Sequence, residues 1–594
     1  MAHRSKTLVH VTHEAARKVG GIGAVLDGML TSGAYHEAVA RSILVAPLFT
    51  SEAAATERLG PDGDVLYSSL DGLVKNQYAA SLAKVEREYK VNVVYGRRTL
   101  RCPWSRLTSS VEVLLIDIAR VNQQKLNQFK GLLYDKFGIR SDRYEQFWDY
   151  EQYVRLAQPA LAAVQALGAC RPDTDCLVIA HEFMGMPTAL AAMLHPAATF
   201  RTVFYAHETA PVRKIVEESP GHDTMFYNVL AHARDHEHYL RDVFGDMSGF
   251  FKYPLVKASQ SCDNILAVGQ YVAQELRFLS PDFDKANIDV VYNGLPAWRI
   301  NVQEKLTSKK KLQDYAEILL GYRPDYVFTH VTRLVTSKGL WRDLRVMRNL
   351  EAELLKKGQT AVLFVLSCEV PYRDPKDIHN MEQWWHWPVV HREGHGDLTA
   401  GEALFYSGVQ EVNAQSRAVK VVFVNQFGWS RETCGQRMPE DMSFVDIRRG
   451  SDVEFGQSTY EPFGISQLEP LSFGTLCVVS EVCGCVGFAR AVNGKQGVPN
   501  VIVADYTDIG PGRADLKGLL ETNRAKREVI EDRVAADVAL EILKRLPKSE
   551  AELAKLIDSG YKLASKMNWE EVVSRYVLPA LDRACRWDQS LASA

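Results

Sequence analysis

Short apolar runs of four to eight residues recur along the chain and alternate with longer segments of helical period. Two of the clearest are 361–366 and 420–424, which are rich in Val, Leu and Phe. Runs of this kind are typical of parallel strands buried on both faces. The pattern therefore predicts an α/β protein. The other predicted strands are 7–12, 42–46, 111–118, 177–180, 202–206, 264–268, 289–292, 326–331 and 443–447, and the clearest predicted helices are 123–137, 144–166, 464–473 and 569–581.

Length and composition exclude several classes of protein. The chain has 594 residues, 46% of them hydrophobic and 24% charged, with a formal net charge of −3. The length predicts at least two domains, and the charge balance gives no electrostatic reason to expect nucleic acid or an anionic membrane as partner. Ten cysteines lack the spacing of a disulfide framework, so free thiols are expected. No signal peptide or membrane-spanning run is found, which favours the cytoplasm.

The stretch 458–469 carries two carboxylates at the predicted start of a helix. Gly464 fits a tight turn before the helix 464–473, with Glu461 at its mouth and Glu469 two turns further on. Backbone N–H groups at such an opening attract oxygen-rich ligands. Acidic residues there are more often only helix caps, so a capping role and a ligand site both stay open.

Two features lead into this stretch. The run 443–447 predicts a strand, and Asp452 and Glu454 predict an acidic turn after it. Together they give a strand, a turn and a helix.

A glycine-rich loop follows the first predicted strand. Lys18, Gly20 and Gly21 come after 7–12 and open a helix that reaches Leu30. Small residues let backbone N–H groups approach a diphosphate, and a lysine supplies charge. A simple glycine loop is an equal alternative, because the pattern matches no dinucleotide or Walker motif.

Histidines stand at the ends of two further strands. His181 and Glu182 follow 177–180, and His207 follows 202–206. Ligands of open α/β sheets gather beyond the carboxyl ends of strands, so these side chains favour a cleft. Neither His-Glu pair continues into H-E-x-x-H, and no metal site is predicted.

Cationic and aromatic side chains of the second half leave alternatives open. Arg333 and Lys338 lie on a loop after the strand 326–331, where they could hold a diphosphate or simply face solvent. The basic run 309–311 indicates a solvated helix face or an anion site. The tryptophans within 384–387 suit either core packing or stacking on a sugar ring.

These motifs resemble those of one enzyme family. Glu461-Pro-Phe-Gly with Glu469 is similar to the E-P-F-G-x-x-x-x-E signature of retaining, nucleotide-sugar-dependent glycosyltransferases of the GT-B architecture, which include the glycogen and starch synthases. Other matching segments follow in the family's order: Lys18-x-Gly-Gly, His181-Glu-Phe, His207 with Arg213, Arg333-Leu-x-x-x-Lys338-Gly and Gly474-Thr475-Leu. The spacing of His207 and Arg213 resembles the eukaryotic type of glycogen synthase.

The resemblance implies an architecture and a reaction. We expect Rossmann-like domains at 1–296 and 297–565, an active-site cleft between them, and a final helix, 566–594, that crosses back to the first domain. The expected reaction transfers glucose from a nucleoside diphosphate glucose to the non-reducing end of an α-1,4-glucan, with retention of configuration. Alternatives are another retaining transferase, which makes sucrose, trehalose or another glycoside, and a non-catalytic glycan-binding homologue.

The resemblance also implies residue roles. Arg333 and Lys338 hold the diphosphate. Glu461 contacts the donor sugar and His207 orients it. Further predicted substrate-binding residues are Lys18, Gly20, Gly21, His181, Glu182, Arg213, Tyr460, Phe463, Gly464, Glu469 and Thr475; His181 and Glu182 are assigned to the acceptor, and Glu469 to ribose. No metal or cofactor is expected, because cations and helix termini balance the charge. The donor base, the acceptor, homo-oligomer formation, allosteric regulation and the roles of 50–110 and 369–416 stay open.

Overall fold

A computed structural model of the chain describes residues 5–60, 62–102, 107–171, 173–196, 200–370, 373–494, 497–510 and 515–586. Within these residues the chain forms two compact units. Unit 1 comprises 5–212, 233–294 and 569–586, and unit 2 comprises 213–232 and 295–568. The sequence puts the domain boundaries after 296 and 565, whereas the units divide after Gly294 and Asn568. The segment 213–232, which the sequence assigns to the first domain, belongs to unit 2. The expected interdomain cleft stays a prediction.

Unit 1 is built on a nine-stranded sheet. Its strands are β1 Ser5–Val11, β2 Val39–Pro47, β3 Gly63–Ser68, β4 Asn92–Arg101, β5 Thr108–Asp117, β6 Thr174–His181, β7 Phe200–Ala206, β8 Asn264–Ala267 and β9 Ile288–Val290. They lie in the order β3-β4-β5-β2-β1-β6-β7-β8-β9, and all neighbours are parallel except β3–β4 and β4–β5, which are antiparallel. Strands β3 and β4 come from the region 50–110, which the sequence did not place, and β5 covers most of the predicted strand 111–118.

Unit 2 is built on a six-stranded sheet of strands β10 Tyr326–Val331, β11 Ala361–Leu366, β12 Val419–Val424, β13 Val453–Gly456, β14 Leu476–Ser480 and β15 Val501–Ala504. The sheet is fully parallel, and its order is β12-β11-β10-β13-β14-β15. Nearly every residue of the central strands is buried, because helices cover both faces of the sheet. This explains why the run 361–366 is apolar throughout rather than alternating.

Helices connect the strands in both units. Those of unit 1 are Gly21–Leu30, Gly33–Ala38, Ala79–Tyr89, Gln123–Phe137, Trp148–Ala166, Glu182–Met193, Leu240–Phe244, Lys252–Ala258, Gln270–Leu279, Trp569–Val572 and Leu578–Arg586. Those of unit 2 are Val302–Leu320, Leu340–Lys357, Pro375–Trp385, Ala400–Gln415, Arg431–Cys434, Phe444–Gly450, Ile465–Leu468, Gly484–Asn493, Leu516–Leu520, Arg524–Arg545 and Glu550–Lys566. Helices Ala210–Glu218 and His222–Asp235 contain the points at which the chain changes unit.

The segment from Trp569 onward is fixed to unit 1 by specific contacts. The Trp569 ring lies directly against Gly28 and Gly294, where no side chain could fit. The Glu570 carboxylate accepts hydrogen bonds from the backbone of Gly33, at 2.5 Å, and of Ala34, at 3.0 Å. It thereby caps the N-terminus of helix Gly33–Ala38.

Two elements before and after the acidic motif differ from expectation. The predicted strand 443–447 is wrong: residues 444–447 belong to helix Phe444–Gly450, and Ser443 is its N-cap. The Asp446 carboxylate accepts the Ser443 N–H at 2.9 Å, which satisfies a free donor at the helix start. The strand that leads into the motif is instead β13, so Glu454 lies in a strand and not in a turn. The predicted helix 464–473 is one short α-helical turn, Ile465–Leu468, followed by the 3-10 turn Glu469–Phe473.

The tryptophan cluster divides between core and surface. Trp387 is fully buried and Trp385 nearly so, whereas the Trp384 side chain is 63% exposed. The buried indoles donate to Asn425 and Asp397, at 2.8 and 3.0 Å. Core packing therefore accounts for two of the three.

Other sequence-based expectations concern cysteines and membrane spans. All ten cysteines lie in the described part of the chain and are free thiols, which confirms that prediction. Among the described residues, no helix combines the length and apolarity that crossing a bilayer requires.

Candidate functional site

Both sheets have a point at which the order of strands reverses. In unit 2 the chain builds outward from β10 to β12 on one side and from β13 to β15 on the other, so the reversal lies between β10 and β13. In unit 1 it lies between β1 and β6. Ligands of open α/β sheets bind outside the carboxyl ends of strands at such switch points. The loops that follow these four strands carry most of the predicted site residues.

The switch point of unit 2 holds a lysine–glutamate pair. Lys338, in the loop after β10, donates from Nζ to Oε2 of Glu461, in the loop after β13. The Gln467 amide donates to the same oxygen at 2.7 Å, and the Ser458 hydroxyl lies 3.5 Å from it. Within the described part of the chain these contacts all fall on Oε2, so Oε1 is available as an acceptor.

The charge of Glu461 is set by its neighbours. Burial alone would favour the neutral carboxylic acid. The Lys338 ammonium, the Gln467 amide and the positive charge of Arg333 outweigh burial and lower the pKa of Glu461 below its usual value. Arg333 itself is exposed in the loop after β10. Glu461 is therefore an anion at neutral pH.

Glu469 is held by a second cation. Arg448 is fully buried, and it donates to Glu454 at 2.8 Å and to Oε2 of Glu469 at 3.0 Å. Its guanidinium also donates to the Ser466 carbonyl. The arginine thus fixes one oxygen of Glu469 and leaves Oε1 without a recorded bond in the described residues. Both carboxylates of the motif present one oxygen in this way.

A buried ion network holds the backbone that immediately precedes Glu461. Arg342 is fully buried and donates to both oxygens of Asp223, at 2.9 and 2.6 Å, and to Glu531 at 3.0 Å. The same guanidinium donates to the carbonyls of Gln457 and Ser458, at 3.2 and 3.4 Å. It therefore fixes the backbone just before Glu461. Sequence analysis missed this network, because its partners are up to 189 residues apart.

Backbone contacts join the two loops of unit 2. The N–H groups of Thr459 and Tyr460 donate to the Ser337 carbonyl, at 2.8 and 3.2 Å. Gly339 has a φ of +62°, and a Cβ there would lie 2.5 Å from the Gln457 carbonyl oxygen. Gly464 has a φ of +91°, which an ordinary side chain rarely adopts. The two glycines let the loops approach closely enough for Lys338 to reach Glu461.

Other predicted residues of this motif are buried. Tyr460 and Phe463 belong to the core of unit 2, and the Phe463 carbonyl accepts the Cys485 N–H at 2.8 Å. The Thr475 hydroxyl donates to the Ser451 carbonyl at 2.8 Å and accepts from Lys305 at 3.3 Å. Their roles in substrate binding stay predictions.

The basic run 309–311 forms ion pairs. Lys309 lies 2.9 Å from Asp452, and Lys311 lies 3.0 Å from Asp441. Lys310 pairs with Asp314 four residues further along the helix. Only Lys310 fits the interpretation of a solvated helix face, because its side chain is 70% exposed, whereas Lys309 and Lys311 are largely covered.

The glycine loop of unit 1 already holds a carboxylate. Oε2 of the buried Glu14 accepts the N–H groups of Val19 and Gly20, each at 2.6 Å. A Cβ on Gly23 would lie 2.5 Å from the same oxygen, whereas one on Gly21 would meet no atom within 4 Å. Glu14 thus occupies two backbone donors of the loop, and the predicted binding of a diphosphate there stays a prediction. Sequence analysis missed Glu14, which differs from an ordinary surface glutamate only by its place before the loop.

Lys18 pairs with an acid of the following helix. Its Nζ lies 3.2 Å from Asp27, and its side chain is 39% exposed. Burial raises the pKa of Asp27 despite the attraction of Lys18. The predicted contact of Lys18 with a diphosphate stays a prediction.

A row of three histidines crosses the carboxyl ends of β1, β6 and β7. His181 lies in the middle, with Nε2 at 3.0 Å from Nδ1 of His10 and Nδ1 at 2.9 Å from Nε2 of His207. His10 and His181 are fully buried, and His207 is partly exposed. The predicted contact of His181 with an acceptor stays a prediction, and both of its ring nitrogens are engaged by the neighbouring rings.

Glu182 is a strained, buried acid. It has a φ of +60° although it is not a glycine, and its side chain accepts the Glu208 N–H at 2.7 Å through Oε1. Oε2 is buried without a hydrogen-bond partner in the described residues. Burial, together with the charge of Glu208, raises the pKa of Glu182 well above its usual value. Strain and an unsatisfied oxygen are more common at functional positions than elsewhere.

Arg213 lies in helix Ala210–Glu218, and its guanidinium lies 3.0 Å from Glu217 one turn further on. Its predicted contact with a sugar nucleotide stays a prediction.

The arrangement defines what each unit can do chemically. Unit 2 offers two cations and two half-satisfied carboxylates at a switch point, which suits a phosphate group next to a polyhydroxy group. Unit 1 offers the glycine loop after β1, at its own switch point, and the imidazole of His207 after β7, whose pKa is lowered by burial to about 3. Among the described residues, no group of three or more His, Cys, Asp or Glu side chains could hold a metal ion.

Comparisons with known proteins give structural neighbours only. No protein-family model matches the chain, and no curated protein matches its sequence. The catalytic domain of starch synthase IV from Arabidopsis thaliana, bound to ADP and acarbose, is 13% identical; the match covers 98% of this chain and 100% of that one, with a TM-score of 0.53. The N-terminal domain of trehalose-6-phosphate phosphatase from Candida albicans is 11% identical over 98% of each chain, with a TM-score of 0.50. Sucrose-phosphate synthase from Thermosynechococcus elongatus is 12% identical over 99% of this chain and 100% of that one, with a TM-score of 0.47. The predicted α/β class with two Rossmann-like domains is confirmed.

Proposed function

We propose that this chain, which has the fold of the GT-B glycosyltransferases, is a retaining transferase that uses a nucleoside diphosphate sugar. We further propose that it moves glucose to the non-reducing end of an α-1,4-glucan. One observation carries the proposal: the pair Lys338–Glu461 and the oriented carboxylate of Glu469 stand together beside the switch point of unit 2. This is where an open α/β sheet binds its ligand.

The charges of unit 2 fit the two ends of such a donor. Negative charge develops on the departing diphosphate, and Lys338 and Arg333 can stabilise it. Positive charge develops on the sugar, and the ionised Glu461 can stabilise it through Oε1. Oε1 of Glu469 suits the paired hydroxyls of a ribose, because Arg448 fixes the plane of that carboxylate. We assign no step to a metal ion.

The residues of unit 1 are assigned to the sugar and the acceptor. A neutral His207 can exchange a hydrogen bond with a sugar hydroxyl without adding charge near the anomeric carbon. The glycine loop is assigned to the donor phosphates. On binding, a phosphate oxygen would replace the Glu14 carboxylate as the acceptor of the Val19 and Gly20 N–H groups. Glu182 is assigned to the acceptor hydroxyl. Location in the cytoplasm stays a prediction.

The first experiment measures binding of the nucleotide product. Calorimetric titration with ADP, UDP and GDP identifies the base and gives the affinity. We expect Lys338→Met to weaken binding, because the variant loses a cation at the phosphate position and leaves Glu461 unpaired. Lys310→Met removes a lysine from an exposed helix face and is the matched control. Equal affinities of the two variants for all three nucleotides would refute the assignment of Lys338.

The second experiment measures transfer. The protein is incubated with each nucleoside diphosphate glucose and with glycogen, maltoheptaose, glucose 6-phosphate or fructose 6-phosphate, and release of nucleotide is followed. Extension of the glucan with an α-linkage, detected by proton NMR, supports the proposal. Release only with the sugar phosphates would instead favour a trehalose- or sucrose-type synthase. Glycan binding without any release would identify a non-catalytic homologue.

A further inference from the structure

The histidine row (His10, His181 and His207) extends at its inner end through two hydroxyl groups. The Ser42 hydroxyl lies 2.7 Å from the Tyr35 hydroxyl, which lies 3.2 Å from Nε2 of His10. Nδ1 of His10 then meets His181, and His181 meets His207. In the parallel register His10 of β1 is paired with Ile179 and His181 of β6 is paired with Tyr205, so each next ring lies two residues further along its strand, towards the carboxyl end. The result is an unbroken chain of hydrogen bonds that ends at His207.

The three rings are neutral. Burial lowers the pKa of His10 to about 3 and that of His207 to about 3. Burial, followed by repulsion from the neighbouring imidazoles, lowers the pKa of His181 well below its usual value. At neutral pH each ring therefore carries one N–H and one bare nitrogen.

Neutral rings in such a row permit only two hydrogen-bonding patterns. Every ring-to-ring contact needs one N–H and one bare nitrogen, so the tautomer of one ring determines the tautomer of the next. In the first pattern Tyr35 donates to His10, and all three rings carry their hydrogen on Nδ1. In the second pattern Tyr35 accepts from His10, and all three carry it on Nε2. A mixed pattern would bury two facing N–H groups or two facing lone pairs, which is costly.

We propose that Tyr35, His10 and His181 are positioning residues that fix the tautomer of His207. In the first pattern Nδ1 of His207 is a hydrogen-bond donor, and in the second it is an acceptor. A hydroxyl group more than 170 residues away in sequence thereby decides which hydrogen bond His207 offers to a ligand. The role of that ligand as a sugar hydroxyl rests on the proposed function, whereas the coupling of the rings does not.

The test is the tautomer of each ring, observed directly. The full chain is labelled with ¹⁵N at histidine, and long-range proton–nitrogen NMR separates protonated from bare ring nitrogens. The signals are assigned by comparison with His10→Gln, His181→Gln and His207→Gln. We expect the three rings of the wild-type protein to show one common tautomer. Different tautomers in adjacent rings would overturn the proposal without any further variant.

The coupling is tested by changing the far end of the row. Tyr35→Phe removes one hydrogen bond from each pattern and leaves Nε2 of His10 unpaired, as a bare nitrogen in the first pattern and as an N–H in the second. Because these two unpaired groups differ in their cost of burial, the balance of the two patterns should shift, by about fivefold for a difference of ~1 kcal/mol. The shift should appear at all three rings. In the double variant Tyr35→Phe/His181→Gln the signal of His207 should equal that of His181→Gln alone, because the row is broken. His36→Gln is the control, since His36 is exposed beside Tyr35 and is not a member of the row. An unchanged His207 in a folded Tyr35→Phe protein would refute the coupling.

A kinetic measurement separates this inference from the proposed function. If the protein transfers glucose, Tyr35→Phe should lower kcat and leave the KM for the nucleotide sugar near that of the wild type. A shifted tautomer without any transferase activity would retain the coupling and overturn the proposed function. An unshifted tautomer in a fully active Tyr35→Phe variant would overturn the coupling and retain the proposed function.

Discussion

Gly339 and Gly358 offer a matched pair of substitutions at the two ends of one helix. They flank helix Leu340–Lys357 and share a φ of +62°, with ψ of 30° and 27°. An alanine at either position adopts a left-handed conformation, which costs about 1–2 kcal/mol. The surroundings differ: a Cβ at 358 meets no atom within 4 Å, whereas one at 339 lies 2.5 Å from the Gln457 carbonyl oxygen. The pair therefore separates backbone strain from displacement of the site.

The separation of the two loops in Gly339→Ala can be converted into an expected loss of kcat. The Cβ at 339 needs at least ~3 Å of clearance from a carbonyl oxygen, so the two loops must separate by roughly half an ångström from the 2.5 Å position. Those loops carry Lys338 and Glu461. Since a misplacement of about 1 Å can cost about 10²-fold in rate, half of it should cost about tenfold. We expect Gly339→Ala to lose about tenfold in kcat, and Gly358→Ala to lose none.

The assay combines transfer kinetics with thermal unfolding. Both variants should unfold at a lower temperature than the wild type, because both carry the backbone strain, and Gly339→Ala should be the less stable. Calorimetric binding of the nucleoside diphosphate reports the geometry of the loops even without turnover. If the two alanine variants were identical in binding, rate and stability, the close approach of Gly339 to Gln457 would not matter for the site.

Three further predictions test electrostatics. Lys338→Met should lower kcat by about 10²–10³-fold and move the acidic limb of the pH–rate profile to higher pH, because burial then raises the pKa of Glu461; an unmoved limb would contradict this. Arg342→Met should destabilise unit 2 by about 3–5 kcal/mol, since it leaves buried carboxylates unpaired; urea unfolding with an unchanged midpoint would argue against it. Burial lowers the pKa of Lys305 to about 8, and the unfolded chain, with its normal lysine pKa, binds more protons between that value and about 10.5. Stability should therefore rise with pH across this window in the wild type and less so in Lys305→Met, as measured by denaturant unfolding at several pH values.

The sequence predicts the sheets well where packing is uniform. The strands at 326–331 and 361–366 match the structure to the residue, because burial on both faces makes most positions of the first and every position of the second apolar. The stretch 443–447 misleads, since it is short and contains Phe, Val and Ile, which favour strands. The capping interaction of Asp446 with Ser443 stabilises a helix there instead, and a Ser-x-x-Asp signal was available to indicate it.

The candidate site is predictable only in part, because only some of its residues stand in local sequence motifs. Glu461 and Lys338 stand in local motifs, so residue type and spacing are enough to select them. Arg342 and Arg448 stand in no motif, and their importance comes from burial and from partners that the fold brings together. His10 likewise looks like an ordinary strand residue until β1 and β6 pair. The site residues that the sequence analysis missed owe their roles to tertiary contacts, which local sequence does not encode.

The contacts of Trp569 with Gly28 and Gly294 have a consequence for biosynthesis. Unit 2 is contained almost wholly within 295–568, so its sheet can close while the ribosome is still translating. Until residue 569 has emerged from the ribosome, unit 1 lacks the Trp569 indole, which fills the space next to Gly28 and Gly294. The half of the protein that is made first is therefore completed only by residues that are made last.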